Sequence, residues 1–540
     1  MAQSPSDSEH RSTSGSPSTS EHQSTQVGRR TFLASVGAGA VAVGPVRALA
    51  AATPASAGPA GGGVEAAASV AERFGRIFRL PSFAPATDNV RAALTHLGRA
   101  GGQLDAQDNL AAGPIQLIVD PALSANNRDN PFHTAGTTFF GQFLDHDLTF
   151  DFTSPLGVPT APESAVNSRT PALDLDSVYG RGPAVDPQLY DPADPAKMRV
   201  ESGGLFEDLP RGPNSVAIIG DPRNDENIMI AGLHAAMLLF HNRVVDLLRS
   251  QGVNSASLFD NARQLVTWHY QWIVVNEFLP QIVGFGETQQ ILKDGRQFYR
   301  PEPGPAFMPV EFQGAAYRFG HSMVRPSYRA NLAGDVNRTP FFGMVFDPAG
   351  EGQADPVDLR GGRRARRRFI GWQTFFDFGD GQVKRNKRID TRISTPLFRL
   401  PLGTIATGTP PISLPQRNLL RHLTWELPSG QQLAAEMRLP ALQPSQFPEL
   451  TQYRLGLEAS TPLWYYVLKE AELINDGIKL GPVGGRIVGE VFIGVLQLDP
   501  RSYLRASPAW RPTLPSRVPG QFGMVDLLRF ARVDPASRGQ

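Results

Sequence analysis

Two histidines have neighbours that set them apart from an ordinary core position. His146 lies between two aspartates, and His321 ends the run Arg-Phe-Gly-His. A neutral imidazole can hold a metal ion, and near neutral pH it can also accept or release a proton. The pair suggests the two sides of one haem, with one imidazole on the iron and the other handling protons opposite it.

The segment around His146 is predicted to be helical, with several polar side chains on one face. Gln142, Asp145 and His146 stand at positions i, i+3 and i+4 and point the same way, whereas Asp147 is rotated by about 100°. A lone buried histidine is more often a core residue than a functional one. Burying two carboxylates among apolar neighbours is costly unless each has a cation or a covalent partner. That cost indicates a site.

A partner for Asp147 is predicted in a nearby loop of oxygen donors. Thr170, the backbone carbonyl of Ala172, Asp174 and Asp176 recur at every second position. Calcium takes about six to eight oxygen ligands, so this spacing suits a calcium loop. Asp174 and Asp176 alone would fit a solvated turn equally well.

A helix is predicted to begin at Asp221, a favoured cap residue that is followed by proline and acidic side chains. Arg223 and Glu226 would then share one face of this helix and could reach one pocket. An exposed intrahelical pair, worth roughly a few tenths of a kcal/mol, is the alternative. An apolar stripe continues the same helix to Leu247.

Taken together, these motifs resemble the animal haem peroxidase superfamily, of the myeloperoxidase and peroxidasin type. The resemblance rests on Gly-Gln-Phe-Leu-Asp-His-Asp at 141–147, Asp-Pro-Arg-x-x-Glu at 221–226 and Arg-Phe-Gly-His at 318–321. It extends over roughly residues 85–530 and implies a secreted, bacterial-type member.

The resemblance implies a role for each residue that would meet the substrate. His146 matches the distal histidine, which moves a proton between the peroxide oxygens. Arg223 matches the distal arginine, which stabilises charge during O–O cleavage, and Gln142 matches the glutamine that orders water or halide. The calcium ligands implied are Asp147, Thr170, Ala172, Asp174 and Asp176.

The resemblance also implies how haem b would be held. His321 matches the proximal iron ligand, and Asp145 and Glu226 match the carboxylates that can esterify the haem. Asn418 matches the asparagine that accepts the proton on the other nitrogen of the iron-bound histidine. Arg318 occupies a peroxidase-type position, three residues before His321.

The function implied is a haem-dependent peroxidase that uses hydrogen peroxide to oxidise halides or small phenolic or aromatic donors. One alternative is a fatty-acid dioxygenase of the same superfamily, in which a tyrosine stands where this chain has Arg318. Tyr317 lies one residue earlier and keeps that alternative open. A second alternative is a secreted adhesion or binding module without catalysis, which the presence of every catalytic position disfavours.

The remaining pattern predicts a mainly α-helical protein with one large domain. A second helix is expected over roughly 261–278, and strand-like alternation is scarce. The 47 prolines and 53 glycines indicate long loops between elements. The chain contains no cysteine, which excludes disulfides and thiolate metal sites. The sequence gives no indication of oligomeric state.

The charge pattern does not point to nucleic acid. A net charge of +1 gives no bulk argument for binding nucleic acid or an anionic membrane. The arginine-rich run at 363–368 lies beside glycines and is predicted to be a solvated loop. A nucleic-acid patch is the sharper interpretation, but no interleaved aromatic residues support it.

The N-terminal region predicts export. Residues 1–27 are polar and expected to be disordered, and Arg29 and Arg30 precede a short apolar run at 34–46. Paired arginines, a short apolar core and Ala-x-Ala cleavage motifs are typical of a twin-arginine signal on a secreted protein. The run is short of the about 20 residues that span a bilayer, and a membrane anchor is the alternative.

We therefore expect four parts of the chain. These are a disordered N-terminus with its signal over 1–57, a linker over 58–84, the haem peroxidase domain over 85–530 and a tail over 531–540. No stable membrane span is expected in the mature chain. The expected partners are hydrogen peroxide and a small electron donor.

Overall fold

Helices dominate the part of the chain that the computed structural model describes, which comprises residues 73–302, 306–334, 337–362 and 365–540. The described strands are short and form five two-stranded sheets, so no large sheet organises this part of the protein. The predicted fold class, one mainly α-helical domain with long loops, is confirmed.

The α-helices are α1 (Asp88–Leu97), α2 (Gly113–Val119), α3 (Ala135–Leu148), α4 (Asp176–Tyr179), α5 (Ile228–Ser250), α6 (Ser255–Ile273), α7 (Phe285–Asp294), α8 (Val310–Gln313), α9 (Leu414–Thr424), α10 (Gly430–Glu436), α11 (Leu463–Asn475), α12 (Pro482–Leu498), α13 (Tyr503–Ala506) and α14 (Met524–Phe530). Several 3-10 helices connect them, and two of these contribute to the site: Pro222–Asp225 and Ala316–Met323.

The strands are β1 (Phe74–Gly75), β2 (Asp129–Thr134), β3 (Tyr190–Asp191), β4 (Asp194–Met198), β5 (Glu201–Ser202), β6 (Glu207–Asp208), β7 (Met308–Pro309), β8 (Ser327–Asn331), β9 (Phe341–Met344) and β10 (Arg385–Lys387). β1 pairs with β7 in parallel. The pairs β2–β10, β3–β4, β5–β6 and β8–β9 are antiparallel.

The single helix predicted to start at Asp221 is in fact two elements. Asp221 caps the short 3-10 helix Pro222–Asp225 by accepting from the Arg223 amide. The long helix α5 begins at Ile228 and has its own cap, because the side chain of Asn227 accepts from the Ile230 amide. Glu226 lies between the two elements, so the expected shared helical face is replaced by a turn. Asn227 can end one element and start the next because its side chain competes with the helix for backbone amides.

The helix predicted over roughly 261–278 starts earlier than expected. It is α6, and Asn254 caps it by accepting from the Ala256 amide. Beyond Ile273 the chain continues as π-helix over Val274–Phe278. The Asn254 cap satisfies a free amide of the first turn and so lets the helix begin at Ser255, ahead of the predicted start.

Residues 73–84, predicted as part of a linker, are packed into the protein. Phe74, Phe78 and Phe83 are buried in the core, and the Phe83 amide donates to the Leu427 carbonyl. The predicted tail also packs, since Ala531 and Val533 are buried. Apolar side chains close to each predicted boundary gain burial against the helices, and this burial outweighs the loop-like composition. The predicted leader over 1–57 lies outside the described residues.

Part of the arginine-rich run is structural rather than solvated. Arg368 donates to the backbone carbonyls of Pro356 and Asp358, both at 2.9 Å. Arg367 forms an ion pair with Asp355 at 2.9 Å. Loop carbonyls need donors when they are shielded from water, and these two arginines supply them.

Among the described helices, α5 alone is long and apolar enough by length and composition to cross a membrane. Inside the protein, 78% of its most apolar window is buried. It packs against α3 and α6 and carries buried residues on every face, from Met229 to Val245. The burial explains its apolar composition as that of a core helix.

Glu490 connects α12 to the segment that follows α7. Its carboxylate is buried and accepts from the backbone amides of Gln297, Phe298 and Tyr299, at 2.7 to 2.9 Å. We expect Glu490→Ala to lower the free energy of unfolding by about 3 kcal/mol, since each buried group left without a partner costs about 1–3 kcal/mol. Urea unfolding followed by circular dichroism measures this change. The exposed Glu436→Ala variant on α10 is the control, expected within about 0.5 kcal/mol of the parent; equal stability of the two variants would contradict the assignment.

Candidate active site

Two packed elements carry the predicted histidines. His146 is in α3, and His321 is in the 3-10 helix Ala316–Met323, which lies along α3. The Tyr317 hydroxyl donates to the Gly141 carbonyl at 2.9 Å, and the Thr138 hydroxyl donates to the Met323 carbonyl at 3.4 Å. These two hydrogen bonds fix the His321 segment against the helix that carries His146.

His146 is held in one tautomer by a network that the sequence did not reveal. Its Nδ1 is 2.8 Å from the Asn224 side-chain oxygen, and the Asn224 amide nitrogen is 2.9 Å from Nδ1 of His234. The amide therefore donates to His234 and accepts from His146, which leaves Nε2 of His146 free as a proton acceptor. His234, a buried histidine on α5, orients the catalytic candidate through Asn224.

Burial controls the charge of His146. The side chain is almost fully inaccessible, and burial, reinforced by Arg223, lowers its pKa to about 4. At neutral pH the imidazole is uncharged and can accept a proton at Nε2. The nearest carboxylate oxygen to that atom is Oε1 of Glu226, at 3.9 Å.

Arg223 is anchored by a fully buried carboxylate. Asp221 accepts from Nε of Arg223 at 3.1 Å and from its Nη2 at 2.8 Å. Nη2 also donates to the His146 carbonyl at 3.2 Å, and the guanidinium stacks on the Phe150 ring, 4.2 Å from its centroid. Although burial disfavours its charge, Asp221 keeps a pKa well below the usual range because Arg223 and Arg169 lie beside it.

Gln142 and Glu226 meet on the Nε2 side of His146. The Gln142 amide donates to Glu226, and the Asn227 amide donates to the Gln142 oxygen at 3.4 Å. Burial raises the pKa of Glu226 to about 8 in spite of the nearby Arg223. Glu226 is therefore a neutral carboxyl at pH 7. We call Gln142, Asp145, His146, Arg223 and Glu226 the His146 cluster.

The residues predicted around His321 also come together. An amide nitrogen of Asn418, on α9, lies 2.8 Å from Nδ1 of His321, and Nη1 of Arg318 lies 3.3 Å from the Asn418 oxygen. Burial and Arg318 lower the pKa of His321 to about 3, so its ring is neutral and able to bind a metal. We call these three residues the His321 cluster.

The orientation of Asn418 differs from the prediction. Asn418 was expected to accept a proton from His321, but its amide nitrogen faces the ring because the oxygen is turned to the cation of Arg318. A histidine that ligates a metal through Nε2 carries its proton on Nδ1 and needs an acceptor there. A half-turn of the amide about its last side-chain bond would supply that acceptor.

Asp145 links the two clusters. It lies 3.7 Å from Nη1 of Arg223, and its charge also acts on the pKa values of Arg318 and Tyr317 in the segment of His321. Burial and the neighbouring Arg421 lower the pKa of Arg318 to about 10. Arg421 pairs with Asp151 at 2.8 Å. The two arginines make this side of the site suitable for an anionic group.

The predicted calcium ligands supply three converging carboxylates. Asp147, Asp174 and Asp176 have oxygens within 4.8 Å of one another, and Asp147 is fully buried. Thr170 follows the same loop: its hydroxyl donates to Asp174 at 2.9 Å and its amide donates to Asp176 at 3.1 Å. Ala172, which lies between Thr170 and Asp174 in the sequence, is also buried. We call the three aspartates the acidic triad.

The acidic triad has the electrostatics of a cation site. Burial, followed by the charges of its two partners, raises the pKa of Asp147 well above its usual value. Burial raises the pKa of Asp176 to about 7 against the effect of Arg169. Three carboxylates cannot all be charged in so small a volume unless a cation compensates them. The donor set is hard oxygen, which suits calcium.

Part of the chain is similar to a known protein family. A profile of the animal haem peroxidase family matches residues 151–350, which include Arg223 and His321. Thyroid peroxidase from Homo sapiens is 26% identical over 261 residues, covering 43% of this chain and 27% of that protein. The chain spans less than half of the length of the curated relatives that it matches.

Two solved structures share the fold. Peroxidase A from Dictyostelium discoideum has a TM-score of 0.57 at 15% identity, covering 85% of this chain and 93% of that chain. A fatty acid alpha-dioxygenase from Oryza sativa has a TM-score of 0.51 at 14% identity, covering 69% and 70%. At such identities the likeness concerns the fold alone. The profile match and the peroxidase relatives show that this part of the chain is similar to the animal haem peroxidase family.

Proposed function

We propose that the protein is a haem-dependent peroxidase that uses hydrogen peroxide to oxidise halides or small phenolic or aromatic donors. The observation that carries this proposal is the geometry of His146. A neutral imidazole, locked in one tautomer by Asn224, lies next to an arginine that Asp221 holds in place. A base and a fixed cation side by side are what peroxide heterolysis requires.

The residues present fit a haem, the cofactor that the superfamily implies. A Cβ added to Gly320 would meet no atom within 4 Å, so open space adjoins the backbone next to His321. His321 would bind the iron, and Arg318 and Arg421 would bind the carboxylates of the cofactor. When bound, the haem supplies the redox chemistry and stores the oxidising equivalents taken from peroxide.

The catalytic contribution of the chain is proton transfer and charge stabilisation. Nε2 of His146 would accept a proton from one peroxide oxygen and return it to the other, which leaves as water when the O–O bond breaks. Arg223 stabilises the negative charge that develops while the O–O bond breaks. General acid–base help of this kind contributes about 10²–10⁴-fold. Gln142 orders the water or halide beside the histidine.

Asp145 and Glu226 are proposed to form ester links to the haem. Burial already favours the neutral form of Glu226, as its pKa of about 8 indicates. An ester is likewise neutral, so forming it leaves no unpaired charge in the pocket. Asp145 lies at the junction of the two clusters, where it is within reach of a cofactor held between them.

Calcium at the acidic triad is the second proposed cofactor. The metal would neutralise Asp147, which follows His146 directly in α3. It would also fix Thr170 and the Ala172 carbonyl in the loop that faces Asp147. We further propose that the protein is exported by the twin-arginine route, on the sequence pattern alone.

The dioxygenase alternative is disfavoured by Tyr317. Its hydroxyl donates to the Gly141 carbonyl, and its ring stacks on Phe312 at a centroid distance of 4.6 Å. The phenol is therefore committed to a structural hydrogen bond. The position three residues before His321 carries Arg318, as in the peroxidases of the superfamily.

Removing His146, the proposed base, or the guanidinium of Arg223 should abolish most of the peroxide reaction. We expect His146→Ala and Arg223→Ala each to lower kcat/KM for hydrogen peroxide by about 10²–10⁴-fold. The double variant should lose less than the product of the two losses, because both residues act on one step. Stopped-flow mixing with peroxide measures the rates. His96→Ala, at an exposed histidine that contacts Tyr453, should keep the parent rate. A parent-like rate in either site variant would contradict the proposal.

The pH dependence should report the protonation of His146. Only the neutral ring accepts a proton, so kcat/KM for peroxide should fall as the pH drops through about 4. Asn224→Asp places a carboxylate next to Nδ1, which should raise the pKa of His146 and move this fall upward by about one to three pH units. The exposed Asn261→Asp variant is the control. An unchanged profile in Asn224→Asp would refute the assignment of this limb to His146.

Loss of calcium should disturb the His146 side of the site. We expect Asp147→Ala, or prolonged chelation, to lower both the thermal midpoint and the rate of the peroxide reaction, because breaking a buried ionic group costs about 3–5 kcal/mol. Calorimetry and metal analysis test this expectation, with the exposed Asp260→Ala variant as the control. Fully active, undialysed protein that contains no calcium would rule it out.

A further inference from the structure

Arg169 bridges the acidic triad and the carboxylate that anchors Arg223. Its Nη1 lies 3.4 Å from Asp176, and its Nε lies 2.9 Å from Asp221. Its Nη2 donates to the Gly220 carbonyl at 3.0 Å. The guanidinium is mostly buried, so these contacts are little screened by water.

The bridge is part of an unbroken series of ionic contacts. Asp176 contacts Arg169, Arg169 contacts Asp221, and Asp221 holds Arg223. Asp221 is fully inaccessible and shares its charge between the two arginines. A change in how strongly one arginine is held must therefore change how strongly the other is held.

The backbone supports the same connection. A Cβ on Gly220 would lie 2.5 Å from the Ser177 carbonyl oxygen and 3.1 Å from that of Asp176. The turn before Asp221 thus packs directly on the loop of the acidic triad, with no room for a side chain. Thr170, next to Arg169, donates its amide to Asp176. Both ends of the bridge are fixed to the same loop.

We propose that Arg169 is a positioning residue that couples cation binding at the acidic triad to the placement of Arg223. This inference rests on the proposed function, since it takes calcium as the cation. Without the cation, Asp176 draws Arg169 away from Asp221. With the cation bound, the charge of Asp176 is neutralised, and Arg169 holds Asp221 in the position that anchors Arg223.

Because coupling is reciprocal, a change at Arg223 should alter calcium binding at the acidic triad, and this effect can be measured without turnover. In Arg223→Gln, Asp221 keeps Arg169 as its one ionic partner and draws it from Asp176, which then offers more charge to calcium. The calcium Kd of the holoprotein, from competition with a chelator, should fall about fivefold, the lower end for coupled sites. In the Arg169→Met background the same Arg223→Gln change should alter the Kd by less than about twofold.

A matched control separates coupling from a general loss of positive charge. Arg501 also contacts the acidic triad, at 3.2 Å from Asp174, but its second partner is Asp499. In the Arg501→Met background, Arg223→Gln should still lower the calcium Kd about fivefold. A merely structural Arg169 would give the same shift in all three backgrounds, and that result would overturn the proposal.

The parent protein provides a test that does not depend on the folding of Arg169→Met. If Arg223→Gln leaves the calcium Kd of the otherwise unchanged protein within about twofold, the coupling does not exist. A protein that binds no calcium overturns it as well. Peroxide turnover is measured separately. Coupling without turnover would refute the proposed peroxidase activity and support the role of Arg169. Turnover with uncoupled sites would refute the role of Arg169 alone.

Discussion

The site depends on one buried carboxylate, Asp221. It has no access to water, and an unpaired charge in that position would cost several kcal/mol. Two arginines compensate it, and the one that faces the pocket, Arg223, is fixed by two hydrogen bonds to it. The fixed guanidinium then donates to the His146 carbonyl and holds the 3-10 helix against α3. The geometry of the proposed catalytic pair, His146 and Arg223, thus follows from the need to neutralise a charge in the core.

Burial lowers the pKa of some groups around that charge and raises the pKa of others. It lowers the pKa of His146 to about 4 and that of His321 to about 3, and it raises the pKa of Glu226 to about 8. One low-dielectric environment therefore yields a neutral base, a neutral metal ligand and a neutral carboxyl. Each is the form that its proposed role needs. Burial raises the pKa values of Asp147 and Asp176 in the same way, and a cation bound at the acidic triad would offset that effect.

The sequence was sufficient to predict the helical fold, because the apolar periodicity of α5 and α6 is long and regular. It also predicted the His146 cluster, whose α3 members lie on one helical face. It could not predict that Asn224 contacts His146 or that Arg169 contacts Asp221, since these partners lie far apart along the chain and no local pattern encodes such contacts. The break at Asn227 was missed because an apolar stripe does not show where backbone hydrogen bonds change partners. Residues 73–84 were predicted to be part of a linker. That prediction failed because three phenylalanines of this segment are buried against residues far along the chain.

The most direct test of the peroxidase assignment is the optical spectrum of the purified protein, recorded before and after one equivalent of hydrogen peroxide. If His321 binds a haem, the spectrum contains a Soret band. If His146 and Arg223 assist cleavage of peroxide, peroxide changes this band within the mixing time, and an added phenol or iodide restores it. A protein that takes up no haem, or whose Soret band is unaffected by peroxide, would contradict the assignment.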